Sequence, residues 1–227
     1  MDNDLIHKEW EWALDFMKNN RRPQRVFKLD KTKTAMLIID MQKGPIEPAE
    51  HYGLIEAKEI VASINTLTGS CRNAGIPVIW VVNKVRSPAE WGLTTTLQPH
   101  SYRTELTWDS DGTKILPELE VDTEKDYEIT KCRHSAFING SSNLERLLRA
   151  LGRDTLIIAG IATNVCVAST AMDAMMLDFK VIVLSDATAA FTDFLQQAFL
   201  MSFNMVFADV ATTAEVLDEI KHLGKGI

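Results

Sequence analysis

The sequence predicts a doubly wound α/β fold, a three-layer α/β/α arrangement around a mainly parallel six-stranded sheet. Two observations support this fold class. Short apolar runs alternate along the chain with longer segments whose apolar residues recur at helical spacing. The apolar runs are also continuous, as expected for strands buried on both faces of a parallel sheet. In chain order, the six predicted strands read TAMLIID, IPVIWVVN, DYEITK, DTLIIAG, FKVIVLSDA and MVFADV.

The segments between these strands carry helix signals. Apolar residues repeat at helical spacing from Ala57 to Cys71, and the following "NAG" predicts the end of that helix. "SSNLERLLRALG" predicts a capped helix ending at Gly152, and "GIATNVCVASTAMDAMM" predicts the next one. Another helix is expected over 194–203. The last, "TTAEVLDEIKHL", is opened by a threonine cap with Glu215 in its first turn.

Two regions fall outside this alternation. Residues 1–32 begin with a helical period and then break at "KNNRRPQRV", so we interpret them as a helical extension to an α/β domain over 33–227. The stretch 84–114 is polar and shows no sustained period, which is typical of a lid or binding loop. Trp91 and Tyr102 within it could form an aromatic lid over a flat substrate, or could pack the loop down.

Composition bounds the possible partners and the location. The net charge of -7 is spread along the chain, so the surface should repel polyanions, and we expect neither nucleic acid nor membrane as a partner. The acidic start lacks the layout of a signal peptide. Cys71, Cys132 and Cys166 cannot all pair within the chain and form no zinc-like cluster. These features predict a soluble, cytoplasmic protein with free thiols.

Candidate reactive residues lie where predicted strands end. In doubly wound sheets, ligands bind beyond the carboxyl ends of the strands. Asp40 ends "MLIID", Lys131 ends "DYEITK", and Cys166 follows "LIIAG" after a short turn. Because parallel strands place their carboxyl ends at one edge, these three side chains can converge although they are far apart in sequence.

Their chemistry suits nucleophilic catalysis. If a helix begins at Thr163 or Asn164, Cys166 lies in its first turn, where free amides and the helix dipole should lower the pKa of the thiol. Lys131 would add a second cation, and Asp40 could take the thiol proton and return it to a leaving group. Two plainer readings stay open, a cysteine of the apolar core and a salt bridge that joins Asp40 to Lys131 alone.

Three motifs resemble one family. "LIIDMQ", "TKCRHSAF" and "GIATNVCVASTAMDA" are similar, in order and spacing, to those of the isochorismatase-like cysteine hydrolases, over about 34–223. These enzymes include nicotinamidases, N-carbamoylsarcosine amidohydrolases, biuret hydrolases and ureidoacrylate amidohydrolases. The resemblance implies that Cys166 is the nucleophile, Asp40 the proton carrier and Lys131 the group that orients and charges the pair.

The resemblance implies further features. A non-proline cis peptide is expected between Ile161 and Ala162, aiming the amides of Ala162 and Cys166 at a developing oxyanion. Members of the family are commonly dimers or tetramers, so we expect a homodimer or homotetramer acting on a small-molecule substrate.

Departures from the family pattern narrow the expected activity. Nicotinamidases of the family bind a metal through an Asp-x-His pair and a further histidine after the second strand, but here that region reads "VVNKVRSPAEWG". His51 and His100 lack that spacing, so we predict no metal and no cofactor. Retention of Cys166 argues against vinyl-ether cleavage. "GIATNVCV" and the asparagine of "WVVNK" are closest to ureidoacrylate amidohydrolases, whereas "KGPIEPAEHYGL" alters one wall of the pocket.

Substrate contacts are expected near the same edge of the sheet. Asn83 and Lys84 end the second strand, and Arg133 and His134 follow the third. Arg133 could hold a carboxylate through paired hydrogen bonds, although a solvated charge or a subunit contact is an open alternative. Trp91 is the candidate in the loop. Alternation along the strand should point Cys132 away from the pocket.

The sequence thus predicts a metal-independent cysteine amidohydrolase that cleaves a C–N bond of a small linear amide, ureido or carbamoyl compound through a thioester. The alternatives are a nicotinamidase-like hydrolase of cyclic amides and a non-catalytic binding or redox-sensing protein.

Overall fold

The central element is a six-stranded sheet in which every neighbouring pair is parallel, with strand order β3-β2-β1-β4-β5-β6. The computed structural model describes residues 25–47, 53–97 and 105–223, together with Asp15. Helices cover both faces of the sheet, which confirms the predicted three-layer doubly wound fold. The sheet, predicted to be mainly parallel, is parallel throughout. The strands are β1 (Thr34–Ile39), β2 (Val78–Asn83), β3 (Tyr127–Lys131), β4 (Thr155–Ile161), β5 (Lys180–Ala189) and β6 (Asp209–Ala211).

The strand order creates one topological switch point. The first strand, β1, lies in the middle of the sheet. The chain then moves outward through β2 to β3 and returns to place β4 against the other side of β1. At the carboxyl ends of this central pair, Ile39 lies opposite Gly160. A crevice between β1 and β4 is where a sheet of this kind binds its ligand.

Seven α-helices lie between the strands or after the last strand in the described ranges. Gly75, in a left-handed conformation with φ +75°, ends the long helix after β1, and Thr212 with Glu215 forms a capping box at the last helix, as predicted. Within these ranges, no helix has both the length and the apolar character that crossing a bilayer would take. The helices are α1 (Lys43–Ile46), α2 (Val61–Ala74), α3 (Thr94–Leu97), α4 (Leu144–Ala150), α5 (Ala168–Met176), α6 (Asp193–Ser202) and α7 (Thr213–His222).

The core is divided into two layers by the sheet. Met36 and Ile38 of β1 pack in the layer that contains α2 and α7. Leu37 and Ile39 of the same strand pack in the opposite layer, which contains α4, α5 and α6. Because successive strand residues face opposite layers, each residue at the carboxyl end of a strand is assigned to one layer by its position.

Three predicted segments, namely the sixth strand, the loop over 84–114 and the N-terminal helix, differ in how the structure describes them. Strand β6 is shorter than expected, because Phe203–Phe207 continues from α6 as a π-helical turn. The loop over 84–114 contains α3 and two 3-10 turns, Pro88–Trp91 and Asp111–Thr113. The predicted N-terminal helix, apart from Asp15, and Tyr102, His51 and His100 lie outside the described residues.

Candidate active site

Asp40 is held at the carboxyl end of β1 by a tight turn. Its φ of +52° is left-handed, a conformation that aspartate tolerates better than most residues. Its amide donates to the carbonyl of Val81 at 2.9 Å, and its own carbonyl accepts from the amide of Gln42 at 2.8 Å. The side chain is buried, with 4% of the residue exposed. The turn therefore places a carboxylate at the switch point.

Gln42, which sequence reasoning missed, fixes the geometry beside Asp40. Its Oε1 accepts from the amide of Asn83 at 2.7 Å, and its Nε2 donates to the carbonyls of Asn83 at 3.1 Å and Thr113 at 2.8 Å. The end of β1 is thereby tied to the end of β2 and to the loop before β3. The signal was the "DMQ" triplet, an amide residue directly after a buried strand end.

The strand opposite Asp40 approaches β1 closely. Gly160 has a φ of +106°, and a side chain there would overlap the backbone of Ile39. The next peptide bond, between Ile161 and Ala162, is cis, as the resemblance implied. These residues lead from β4 into the turn that carries the cysteine.

Cys166 lies in a π-helical turn, Thr163–Val167, that leads into α5. The carbonyl of Ala162 accepts from the amides of Val165 at 2.9 Å and Val167 at 3.1 Å. The predicted cap was wrong. Ala162 is the capping residue and supplies no side-chain bond, while Thr163 Oγ1 is buried with no hydrogen-bond partner among the described residues. The amides of Ala162 and Cys166 stay the predicted oxyanion hole.

Lys131 joins the three predicted reactive residues. Its fully buried Nζ is 2.8 Å from Asp40 Oδ2 and donates to Cys166 Sγ at 3.4 Å and to the carbonyl of Arg133 at 3.0 Å. An ammonium group has three protons, so these three contacts use its donors completely. Asp40 Oδ1, in contrast, is buried with no hydrogen-bond partner in the described part of the chain. One carboxylate oxygen is thus available to accept a proton.

The electrostatics differ from the sequence-based expectation. Burial raises the pKa of Cys166, the charge of Asp40 raises it further, and Lys131 only partly opposes them. The predicted lowering of this pKa was wrong, because placement at a helix start does not offset removal from water and a neighbouring carboxylate. Burial lowers the pKa of Lys131, but Asp40 and Cys166 outweigh it and raise the pKa above its ordinary value. The resting site therefore pairs an ammonium with a protonated thiol.

His134 is a fourth group at the sulfur. Its Nδ1 is 3.5 Å from Cys166 Sγ. Burial and then the charge of Lys131 lower the pKa of His134, with Asp40 opposing, so the imidazole is neutral at neutral pH. The ring meets Trp91 edge-on at 6.4 Å between centroids. Trp91 is itself buried, in a small cluster that includes Leu106, so it packs the loop down.

The side chains of Asn83 and Lys84 point to different places at the end of β2. Asn83 lies opposite Lys131 in the register, so both side chains share one face of the sheet, and its buried Oδ1 lacks a hydrogen-bond partner in the described ranges. Lys84 instead forms an ion pair with Glu128, 2.7 Å from Nζ to Oε1, on the neighbouring strand β3. The structure brings Asn83 to the site and does not bring Lys84 there.

Arg133 contributes to the site through its backbone. Its carbonyl accepts from Lys131, while its Nη1 donates to the carbonyl of Cys132 at 2.8 Å. The thiol of Cys132 points to the carbonyl of Gly140 at 3.5 Å and not to Cys166. Across 25–47, 53–97 and 105–223, no three histidine, cysteine or carboxylate side chains are grouped as metal ligands would be.

The carboxyl ends of β1, β3 and β4 thus bring together a thiol, a lysine that bridges it to a carboxylate, and that buried carboxylate. The model of the isochorismatase domain matches residues 34–215. The chain belongs to this family, in the branch of isochorismatase-like amidohydrolases, a class of hydrolases acting on carbon–nitrogen bonds.

Relatives with names and solved structures place the chain within that family. It is 32% identical to a ureidoacrylate amidohydrolase of Caulobacter vibrioides, over 87% of this chain and 96% of that protein. It is 34% identical to a probable inactive nicotinamidase of Arabidopsis thaliana, over 82% of this chain and 96% of that protein. A cysteine hydrolase structure from Pseudomonas syringae pv. phaseolicola matches with a TM-score of 0.81 and 29% identity, over 89% of this chain and 99% of that chain. The structure of N-carbamoylsarcosine amidase from Thermoplasma acidophilum matches with a TM-score of 0.67 and 27% identity, over 80% of this chain and 96% of that chain.

Proposed function

We propose that the protein is a metal-independent cysteine amidohydrolase that cleaves a small linear amide, ureido or carbamoyl compound through a thioester on Cys166. One observation carries the proposal. Lys131 Nζ contacts both the Cys166 sulfur and Asp40 Oδ2, while Asp40 Oδ1 is left as a buried acceptor without a partner in the described chain. Buried acceptors without a partner are uncommon in folded proteins, so one in a carboxylate that shares a lysine with a thiol supports a chemical role for Asp40.

The reaction begins with a thiol, because the pKa of Cys166 is raised. Asp40 takes the thiol proton as the sulfur attacks the substrate carbonyl, and Lys131 stabilises the developing negative charge on sulfur. The amides of Ala162 and Cys166 are the proposed donors to the oxyanion. Asp40 then gives its proton to the leaving nitrogen, so ammonia or an amine departs and a thioester remains.

The substrate class is supported by the relatives and by the site. The Caulobacter relative is named for ureidoacrylate and the Thermoplasma structure for N-carbamoylsarcosine, both of which carry a terminal carbamoyl group. Asn83 Oδ1 is a buried acceptor beside Lys131, suited to an N–H of such a group. A homodimer or homotetramer, and a cytoplasmic location, stay predictions.

The test is ammonia release from ureidoacrylate, biuret, N-carbamoyl amino acids, nicotinamide and simple aliphatic amides. Cys166→Ala protein should release none, whereas Cys132→Ser protein, altered at a thiol outside the site, should match the wild type. Hydroxylamine added during turnover should divert the acyl group from Cys166 to a hydroxamate. Equal release by wild type and Cys166→Ala protein would contradict the proposal.

A nicotinamidase-like activity is the second candidate, because the Arabidopsis relative is named as a nicotinamidase, although as a probable inactive one. It predicts nicotinate formation from nicotinamide that depends on an added divalent metal. The name of that relative also keeps a non-catalytic role open. Folded protein that releases nothing from the whole panel, yet binds one of its members, would favour that role.

A further inference from the structure

Two groups able to accept a proton, Asp40 and His134, act on the Cys166 thiol. Asp40 is buried, with 4% of the residue exposed, and its Oδ2 is held by Lys131. His134 is partly exposed, and its Nδ1 lies 3.5 Å from the same sulfur. Of these two groups, Asp40 is therefore buried, whereas His134 is partly open to solvent while it contacts the sulfur.

We propose that His134 is the base for the hydrolytic water in the second half of the reaction, while Asp40 handles the proton of the first half. The inference rests on the proposed cysteine mechanism. Before acylation, Nδ1 contacts the sulfur. Once the sulfur carries an acyl group, it has no proton and no full charge, so Nδ1 loses that partner next to the acyl carbon.

Hydrolysis of the thioester conserves its atoms and protons. A water molecule gives a proton to Nδ1 of His134, and its oxygen forms a bond to the thioester carbonyl. The tetrahedral intermediate collapses by breaking the C–S bond, and the electron pair stays on sulfur. The imidazolium returns its proton to the sulfur. The products are a carboxylic or carbamic acid and the starting thiol, with His134 again neutral.

The surroundings of His134 suit a base that accepts a proton briefly. Among the described residues, the charges of Lys131 and Asp40 act on His134, Cys166 contacts its Nδ1, and the edge of Trp91 packs against the ring. Burial and the charge of Lys131 disfavour a lasting imidazolium, so the ring is neutral when water arrives and gives its proton back readily. The Trp91 contact holds the ring in one orientation.

The test uses p-nitrophenyl acetate, whose leaving group needs no proton. Release of p-nitrophenolate in an initial burst reports acylation of Cys166, and the later steady rate reports deacylation. His134→Phe keeps a ring against Trp91 but has no base. His134→Asn keeps a hydrogen-bonding atom near the position of Nδ1 but does not accept a proton at neutral pH. His222→Gln, at an exposed histidine of α7, is the matched control.

Both His134 variants should keep a burst of one equivalent, while the steady rate falls by roughly a hundredfold, a typical contribution of general base catalysis. The acetylated Cys166 peptide should then accumulate in the mass spectrum. A normal steady rate in His134→Asn protein would show that the ring only positions the sulfur and would overturn the inference. So would a burst that slows as much as the steady rate.

Failure of the proposed function looks different. If wild-type protein gives no burst, or if Cys166→Ala protein gives the same burst, the thioester mechanism fails and this inference fails with it. If the burst depends on Cys166 but both His134 variants turn over as fast as wild type, the thioester stands and only the role of His134 is lost.

Discussion

Asp126 and Asp40 both have buried side chains that form ion pairs, and they differ in how completely their carboxylate oxygens are satisfied. Asp126 accepts from Arg72 Nε at 2.9 Å and Nη2 at 2.6 Å, from Trp80 Nε1 at 2.8 Å and from the amide of Asp122 at 3.0 Å, so both of its oxygens are used. Asp40 has Lys131 on one oxygen and no partner in the described chain on the other.

The difference separates structural roles from chemical ones. Both carboxylate oxygens of Asp126 already accept hydrogen bonds, so neither is left to accept a proton in a reaction. These bonds join α2, β2 and the turn before β3. Asp40 keeps one buried acceptor without a partner in the described chain, an arrangement that costs stability and so calls for an explanation such as a reaction. We therefore expect changes at either pair to destabilise the fold, but only changes at the Asp40–Lys131 pair to abolish turnover.

The largest expected effect is that of Lys131→Met. Removing the ammonium leaves Asp40 buried without its ion-pair partner, so the free energy of unfolding should fall by about 3–5 kcal/mol. Turnover per folded molecule should drop to background. Arg72→Met is the control, because Asp126 keeps Trp80 and the amide of Asp122. It should lose stability but retain turnover. Denaturant unfolding with parallel activity assays measures both, and an active Lys131→Met protein would contradict the comparison.

Next in size is the effect of Gly160→Ala, which crowds the strand that carries Asp40. The added side chain would overlap the Ile39 backbone at a φ of +106°, so we expect a loss of about 3 kcal/mol or more. Gly75→Ala at the end of α2, the helix that carries Arg72, meets no atom within 4 Å and should cost only about 1–2 kcal/mol for its left-handed backbone. Equal losses in thermal melts would contradict the crowding argument.

A smaller effect is expected on the reactivity of the Cys166 thiol. Because the charge of Asp40 raises the pKa of Cys166 and Lys131 opposes it, Asp40→Asn should lower that pKa. Alkylation by iodoacetamide, followed on the Cys166 peptide by mass spectrometry, should therefore reach its plateau at a lower pH than in wild type. Amide hydrolysis should nevertheless be lost. An unchanged alkylation profile would mean that Asp40 does not act on the thiol.

The smallest effect concerns stability below neutral pH. The pKa of His134 in the folded protein lies below its unfolded value, so the unfolded chain binds the extra proton first. The contribution of this group is fully present above the ordinary histidine pKa of about 6.5 and is lost as the pH falls further. His134→Phe should therefore lose less stability than wild type between pH 7 and pH 5. Identical pH dependence would contradict the burial of this ring.

The parallel arrangement of the strands, and the shared edge at which they end, could be predicted from the sequence. Asp40, Lys131 and Cys166 converge because parallel strands end at one edge, and that rule needs no coordinates. The prediction failed at Lys84, which alternation could have excluded, since Asn83 and Lys84 are consecutive in an extended strand and face opposite layers.

Other features were beyond sequence reasoning. The pKa of Cys166 depends on burial by distant segments, and no local pattern reveals a π-helical turn in place of a capped helix. The contact of His134 with the sulfur depends on the path of the chain after β3. The bonds of Gln42 to Asn83 and Thr113 likewise depend on the loop before β3.

The strand order also bears on when the site forms during folding. Asp40, Lys131 and the turn holding Cys166 lie at the ends of β1, β3 and β4, and β2 lies between β3 and β1. Contacts between residues so far apart in sequence form late, because long loops must close first. A chain still emerging from the ribosome, or one with an unpaired sheet, therefore has a cysteine at position 166 but no assembled Asp40–Lys131 pair beside it. Catalytic reactivity would then report that four strands have paired, and partly folded molecules would carry no active nucleophile.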